Sequence, residues 1–297
     1  MRSPRLKPAA AVLAAALASA CLLLPDPGDE PGWRTFPDEA GEGGIAAPAQ
    51  PSSPAPVPAP AAARADRSDP VFRQTLDFPP GGALTLENDY GDVSVAGWDR
   101  EAVEVVVAPA GPSDPPPEVE VRRTAAGLVV RTRSYEGAGA PPGAVFTVRA
   151  PFSVDLAGLR VSVGHLRVSG VRGRLEASID KGDLAVTGFS GTVMATLGDG
   201  KADLEVRGLR DADAVTVLSR RGDIVLRLER GAGAIVEADA SEGVRSEFDL
   251  GVALPVPAVR AWIGQGGPNI ILRASGGRVD LVAAAKEPAS ARPASGN

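Results

Sequence analysis

Hydrophobic and polar residues alternate along much of the chain between residues 71 and 150. Because side chains of a strand point alternately to opposite faces, each alternating run predicts a half-buried β-strand. No comparable window shows the apolar stripe of a helix, so we predict an all-β fold. The alternating apolar positions are Leu84/Leu86, Val93/Val95, Val103/Val105/Val107, Val119/Val121, Leu128/Val130 and Phe146/Val148.

A nine-residue repeat follows these strands. Glycines recur at Gly164, Gly173, Gly182, Gly191 and Gly200, and they open the units GHLRVSGVR, GRLEASIDK, GDLAVTGFS and GTVMATLGD. Nine residues suffice for a short strand and a tight turn, and glycine tolerates turn conformations that other residues resist. Two units give a coil of about 18 residues, so the repeat predicts a β-solenoid, or β-helix-like stack, of short strands.

The repeat also predicts which side chains face the core. Stacked coils bury an aliphatic face that a single coil leaves exposed. The register drifts after Gly200 and recovers at Gly222 and Gly231, where GDIVLRLER and GAGAIVEAD continue the theme. The expected inward residues are Leu166, Val168, Leu175, Ala177, Ile179, Leu184, Val186, Val193, Ala195 and Leu197.

Residues 1–24 have the composition of a secretory leader. A basic start, MRSPRLK, precedes an apolar run from Ala9 to Leu24 that only Ser19 and Cys21 interrupt. This run is shorter than the ~20 residues that a membrane-spanning helix needs. The small residues ASA directly before Cys21 are similar to the lipobox of bacterial lipoproteins. Lipidation at Cys21, simple secretion and an uncleaved anchor all stay open, and all three predict a domain outside the cytoplasm.

The remaining chain divides by composition. A Pro/Ala-rich stretch over 25–69, which includes PAPVPAPAAA, predicts a disordered, semi-extended linker. We predict one β-domain over 70–285 and a disordered tail over 286–297. Within the domain, GPSDPPPE and YEGAGAPPG predict long surface loops.

Composition narrows the possible functions. Aromatic residues make up 4% of the chain, whereas the 35 glycines and 28 prolines suit a fold of short strands and turns. The formal charge is −6, and it becomes more negative once the basic leader is removed, so nucleic acid is not expected as a partner. Cys21 is the only cysteine, so the domain contains no disulfide or thiol nucleophile, and no cofactor is expected.

Three segments carry a family resemblance: LTLENDYGDVSVAGWDRE (84–101), FTVRAPFSVDLAGLRVSVGHLRVSGVRG (146–173) and NIILRASGGRVDL (269–281). Their recurring element, G-D-[VIL]-x-V-x-G, runs from Gly91 to Gly97 and from Gly182 to Gly188, with a partial copy at Gly222. Over residues 70–283 the chain resembles a family of bacterial envelope domains that carries the name "putative adhesin". The resemblance implies a β-solenoid outside the cell and transfers no catalytic residue.

The sequence departs from this family pattern at two places. His165 stands where an aspartate is usual after the turn glycine. Pro255 and Pro257 interrupt the repeat, and because proline cannot donate to a strand ladder, they predict a terminal cap or edge.

The recurring glycines and aspartates are the candidate structural sites. A carboxylate directly after a turn glycine can accept backbone N–H groups and so stabilise the turn. Calcium binding is the alternative, but nonapeptide calcium repeats need paired glycines and a regular aspartate that this chain lacks. The predicted turn positions are Gly91, Asp92, Gly164, Gly173, Gly182, Asp183, Gly191, Gly200, Gly222 and Asp223.

Several other polar groups are candidates for active or binding sites. His165 is the only histidine, and it lies at an outward repeat position without a serine elbow nearby, so we expect no catalytic relay. Arg221-Gly222-Asp223 spells an integrin-binding tripeptide, yet it coincides with a repeat corner. An arginine-rich stretch could gather into an anion site, although acidic neighbours favour a mixed solvated face: Arg207, Arg210, Arg220, Arg221, Arg227 and Arg230.

Two main classes of function remain. We predict a non-enzymatic envelope protein whose solenoid binds envelope components or an extracellular glycan or protein ligand, with the membrane reached through the leader or a lipid anchor. The alternative is a carbohydrate-active enzyme on a β-helical scaffold. A role in envelope-stress signalling is a third possibility that the sequence does not test.

Overall fold

The chain forms β-strands throughout the part that the structure describes. The computed structural model describes residues 69–79, 81–111, 116–133 and 142–284, which contain eighteen strands and no helix. The predicted all-β class is therefore confirmed. The strands are β1 (Phe72–Asp77), β2 (Ala83–Tyr90), β3 (Val93–Trp98), β4 (Ala102–Pro109), β5 (Val119–Arg123), β6 (Gly127–Thr132), β7 (Ala144–Pro151), β8 (Asp155–Val163), β9 (Leu166–Ser169), β10 (Arg172–Lys181), β11 (Leu184–Asp199), β12 (Ala202–Val206), β13 (Ala214–Arg221), β14 (Ile224–Leu228), β15 (Ala234–Ser246), β16 (Val256–Ile263), β17 (Asn269–Ala274) and β18 (Val279–Ala283).

Most strands belong to two parallel ladders. The first ladder has the spatial order β6, β2, β8, β10, the second half of β11, β13, β17 and the first part of β15. The second ladder has the order β7, β3, β9, the first half of β11, β12, β14, β18 and the end of β15. One strand from each ladder makes a rung, and stacked rungs give a β-helix-like fold.

The inward side chains of both ladders form one apolar cluster. Leu175, Leu184 and Leu197 are each at most 2% exposed, and every other residue predicted to face inward is also buried. The period-2 alternation therefore predicted the buried face correctly, because strand geometry alone sends alternate side chains to one side.

The coil length agrees with the repeat only in the middle of the stack. Leu184 pairs with Leu166 and with Ala202, so successive rungs there are 18 residues apart. The next rung is offset by more residues, since Val193 pairs with Val215, and the extra residues lie in the connection after β12.

The order of the rungs differs from the order of the sequence. The β2–β3 rung lies between the β6–β7 and β8–β9 rungs, although β6 and β7 come between β3 and β8 in the chain. At the other end, the β17–β18 rung lies inside the rung formed by β15. The fold is thus β-helix-like without being a strict solenoid.

Antiparallel strands cover both ends of the stack. β1 and β4 extend the sheet beyond β7, and β5 pairs with β6. β16 pairs antiparallel with β15 and contains Pro257, as the prediction of a terminal edge at Pro255 and Pro257 required. Proline is compatible with such an edge because its missing N–H is not needed by a further strand.

The predicted recovery of the repeat at Gly231 is wrong. β15 begins at Ala234, and it is Gly233 that packs closely against the carbonyl oxygen of Gly266. A Cβ on Gly231 would meet nothing within 4 Å. The alternation of apolar and polar residues after Gly231 shows which face of β15 is buried, but it does not specify the neighbouring strand. In the structure β15 pairs with β17 and lies beyond it in the stack.

Candidate functional site: an arginine groove at one corner of the stack

Six glycines form a column where each rung passes from the first ladder to the second, and we call this column the glycine corner. Its members are Gly91, Gly164, Gly182, Gly200, Gly222 and Gly277. A Cβ on any of them would lie under 3.0 Å from the carbonyl oxygen of the residue on the neighbouring rung. Gly182 has φ +134°, in a region that L side chains rarely adopt. Close rung stacking therefore needs glycine at every member of the corner, and a positive φ favours glycine at all of them except Gly277.

Three of the corner glycines are followed by an aspartate, and each of these aspartates connects two rungs. An Oδ1 atom of Asp92 accepts the backbone N–H of His165 at 2.9 Å, and Asp183 accepts that of Lys201 at 2.8 Å. Asp223 accepts the backbone N–H of Arg278 at 3.1 Å. These carboxylates act as structural acceptors between neighbouring rungs.

His165 takes the position of an aspartate in this series. Its Nδ1 accepts the backbone N–H of Asp183 at 3.2 Å, so the imidazole supplies the acceptor that a carboxylate supplies elsewhere. The side chain is 45% exposed and lies 3.4 Å from the Asp183 carboxylate. The histidine thus preserves the contact between rungs.

The Arg-Gly-Asp tripeptide is held within the same corner. Arg221 makes a two-bond pair with Asp199, with both N···O distances 2.6 Å, and this hydrogen-bonded guanidinium lowers the pKa of the Asp199 carboxyl. The same contact raises the pKa of Arg221. Asp223 is engaged by Arg278 at 3.3 Å. Both charged ends of the tripeptide therefore have partners within the stack.

The remaining predicted sites fall elsewhere. Gly173 and Gly191 lie next to each other in the first ladder, where β10 pairs with the second half of β11. A Cβ on Gly191 would clash with the carbonyl oxygen of Gly173. A Cβ on Gly173 would lie 2.7 Å from the carbonyl oxygen of Val154. Cys21, the predicted lipidation site, lies outside the described residues.

A groove runs along the opposite corner, where each rung passes from the second ladder back to the first. It encloses about 660 Å³, and its lining includes three glycines together with Ser153, Arg172, Ser190, Arg207, Arg210 and Glu229. We call it the arginine groove. The backbone of Ser153 forms a β-bridge with that of Arg172, and Arg172 is the strand-pairing partner of Ser190. The carbonyl oxygen of Phe189 accepts the backbone N–H of Arg207, so these residues lie on successive rungs.

The three guanidinium groups of the groove differ in their partners. Arg207 pairs with Glu205 at 2.6 Å, and Arg210 lies 3.4 Å from Asp213, whose side chain is 7% exposed. Within the described ranges, the Arg172 side chain has no ion pair or hydrogen bond. Glu229 is the single carboxylate of the lining. Because Arg207 and Arg210 are each held by a carboxylate, Arg172 is the guanidinium of the described lining that is left for a ligand.

The structure divides the arginines that the sequence had grouped together. Arg207 and Arg210 line the groove, Arg220 and Arg221 lie near Asp199 at the glycine corner, and Arg227 pairs with Asp203 on the second ladder. Sequence reasoning missed Arg172, because it lies far along the chain from the other arginines. The signal available was the 18-residue coil, which places Arg172 beside Ser190.

The described residues contain no group of three or more His, Cys, Asp and Glu side chains arranged to hold a metal ion. They also contain no helix long and apolar enough to cross a membrane.

Comparisons with known proteins give structural likenesses at low identity. The chain matches no protein-family model and no curated protein. A structure from Clostridium sporogenes, called a putative cell adhesion protein, has a TM-score of 0.42 and 13% identity, and the alignment covers 72% of this chain and 100% of that one. A putative adhesin from Bacteroides fragilis has a TM-score of 0.33 and 11% identity, with 71% and 96% covered.

Proposed function

We propose that this chain is a non-enzymatic protein of the bacterial cell envelope, related to the adhesin-like envelope domains, and that its stack serves adhesion or another interaction outside the cytoplasm. The observation that carries the proposal is the set of hydrogen bonds that join neighbouring rungs at the glycine corner. Asp92, His165 and Asp183 each hold the rung that follows, so surface groups keep a fixed spacing of about 4.8 Å. A rigid surface with repeated groups suits many weak contacts to an extended or repetitive partner.

The leader supports the proposed location. An apolar run followed by small residues and Cys21 would deliver the domain across the membrane, and lipidation of Cys21 would keep it attached there. The Pro/Ala-rich linker would then separate the stack from the membrane surface.

The groove composition favours binding over hydrolysis. Glycoside hydrolases commonly place two carboxyl groups across the scissile bond. The lining of the arginine groove instead contains one carboxylate, Glu229, and the guanidinium of Arg172, which has no partner among the described residues. This set of side chains can hold an anionic ligand through charge-assisted hydrogen bonds.

The test uses the purified full chain. We expect it to sediment with isolated bacterial cell-envelope fragments and to release no product from a panel of polysaccharides, esters and peptides. Unfolded protein and an unrelated acidic protein serve as controls for non-specific adsorption. Failure to bind envelope fragments would refute the proposal, and so would turnover that disappears in Glu229→Gln.

A further inference from the structure

The arginine groove has the shape of a site for an extended chain. From Ser153 to Glu229 its lining groups follow five successive rungs, so it extends for about 19 Å along the stack at the usual strand spacing. Arg172 and Arg207 lie two rungs apart, which separates the two positive groups by about 10 Å along this direction. A groove of this length fits a segment of an extended polymer better than it fits a single small ion.

Arg172 is the group best placed to bind. Its guanidinium carries five N–H donors, and none of them is used by another side chain in the described part of the protein. Planar guanidinium groups form paired hydrogen bonds with carboxylates. A carboxylate ligand at Arg172 therefore displaces only water, whereas the pairs at Arg207 and Arg210 are already partly satisfied.

The other lining groups suit a sugar polymer. The hydroxyls of Ser153 and Ser190 can each donate and accept a hydrogen bond, as sugar hydroxyls do.

We propose that the arginine groove binds an extended polysaccharide whose sugars carry carboxylate groups, with Arg172 as the main contact. This inference rests on the proposed binding function and names its ligand class. Arg207 and Arg210 line the groove further along, each already held by a carboxylate, and Glu229 opposes the anion at the far end.

The experiment measures binding of the full chain to polygalacturonate by titration calorimetry at low salt. Arg172→Ala should weaken binding about tenfold or more, the effect of losing a charge-assisted contact. Glu229→Gln should tighten it by roughly twofold to fivefold, as expected for removing one exposed repulsive charge. Arg174→Ala is the matched control, because Arg174 lies two residues along the same strand, is exposed and pairs with Glu176 instead of lining the groove.

Two further polymers test the ligand class. A neutral galactan should not bind, and polyglutamate should bind more weakly than polygalacturonate. Equal affinity for polyglutamate and polygalacturonate would show that the groove takes any polyanion, which would overturn the sugar assignment.

The outcomes separate this inference from the proposed function. If Arg172→Ala and Arg174→Ala bind polygalacturonate equally well, the groove is not the site and the inference is wrong. If polygalacturonate does not bind while the chain still sediments with envelope fragments, the ligand class is wrong and the proposed function stands. If neither binds, both are wrong.

Discussion

Replacing Gly182 with alanine tests whether the glycine corner holds the rungs together. Gly182 lies at the centre of the column, and its backbone N–H donates to the Asp199 carbonyl at 2.8 Å. Alanine would have to adopt φ +134°, and its Cβ would lie less than 3.0 Å from the Gly164 carbonyl oxygen. Because that atom belongs to the backbone, no side-chain rotation can relieve the clash.

The expected cost has two parts. Holding a residue other than glycine in this region of φ costs about 1–3 kcal/mol. Separating the two rungs enough to admit the methyl group weakens at least one or two backbone hydrogen bonds, each worth about 0.5–1.5 kcal/mol. We therefore expect Gly182→Ala to lower the free energy of unfolding by about 3–5 kcal/mol, a large fraction of the 5–15 kcal/mol typical of a domain.

Gly170→Ala is the matched control. Gly170 also has positive φ, +61°, but a Cβ there would meet nothing within 4 Å. Only the left-handed conformation then opposes alanine, at a cost of about 1–2 kcal/mol. The two variants thus differ mainly in the approach of the neighbouring rung.

Urea unfolding followed by circular dichroism gives both free energies by linear extrapolation. We expect Gly182→Ala to unfold at a clearly lower urea concentration than Gly170→Ala, or to be recovered unfolded while Gly170→Ala folds. Equal losses in the two variants would refute the reasoning, because they would show that rung contact adds nothing to the cost of positive φ.

Three other changes have defined outcomes. His165→Asn keeps an acceptor for the Asp183 backbone N–H and should leave stability unchanged, whereas His165→Ala should cost about 0.5–1.5 kcal/mol in urea unfolding. Arg221→Ala removes the guanidinium that lowers the pKa of Asp199, so NMR titration should show a higher pKa for this carboxyl in the variant. In the native protein, any stability from the pair is present above the pKa that Asp199 has in the unfolded chain, and it is lost as the pH falls through the lower pKa of the folded state. Intact-mass analysis of membrane fractions should find a mature chain that starts at a lipidated Cys21, and an unmodified Cys21 would contradict the proposed anchor.

The local pattern of the sequence determined the strands and their buried faces. Leu84, Leu175 and Val193 could be assigned to the core from alternation alone, because a strand has a side-chain period of two wherever it lies. The glycine spacing also predicted the coil length between Gly164 and Gly200, since those rungs follow one another directly in the chain. The sequence places His165 directly after a turn glycine, but its role as a hydrogen-bond acceptor is visible only with Asp183 beside it.

Only the tertiary structure decided which rungs are neighbours and which arginines meet. The alternation of β2 or β15 is the same whether its partner is near or far in the chain, so the sequence does not show that β2 lies between β6 and β8. The arginine groove depends on the same stacking, because Arg172 and Arg207 come together only when intervening rungs are laid side by side. Periodicity encodes the face that each strand buries, whereas the choice of neighbour depends on how well whole rungs fit together.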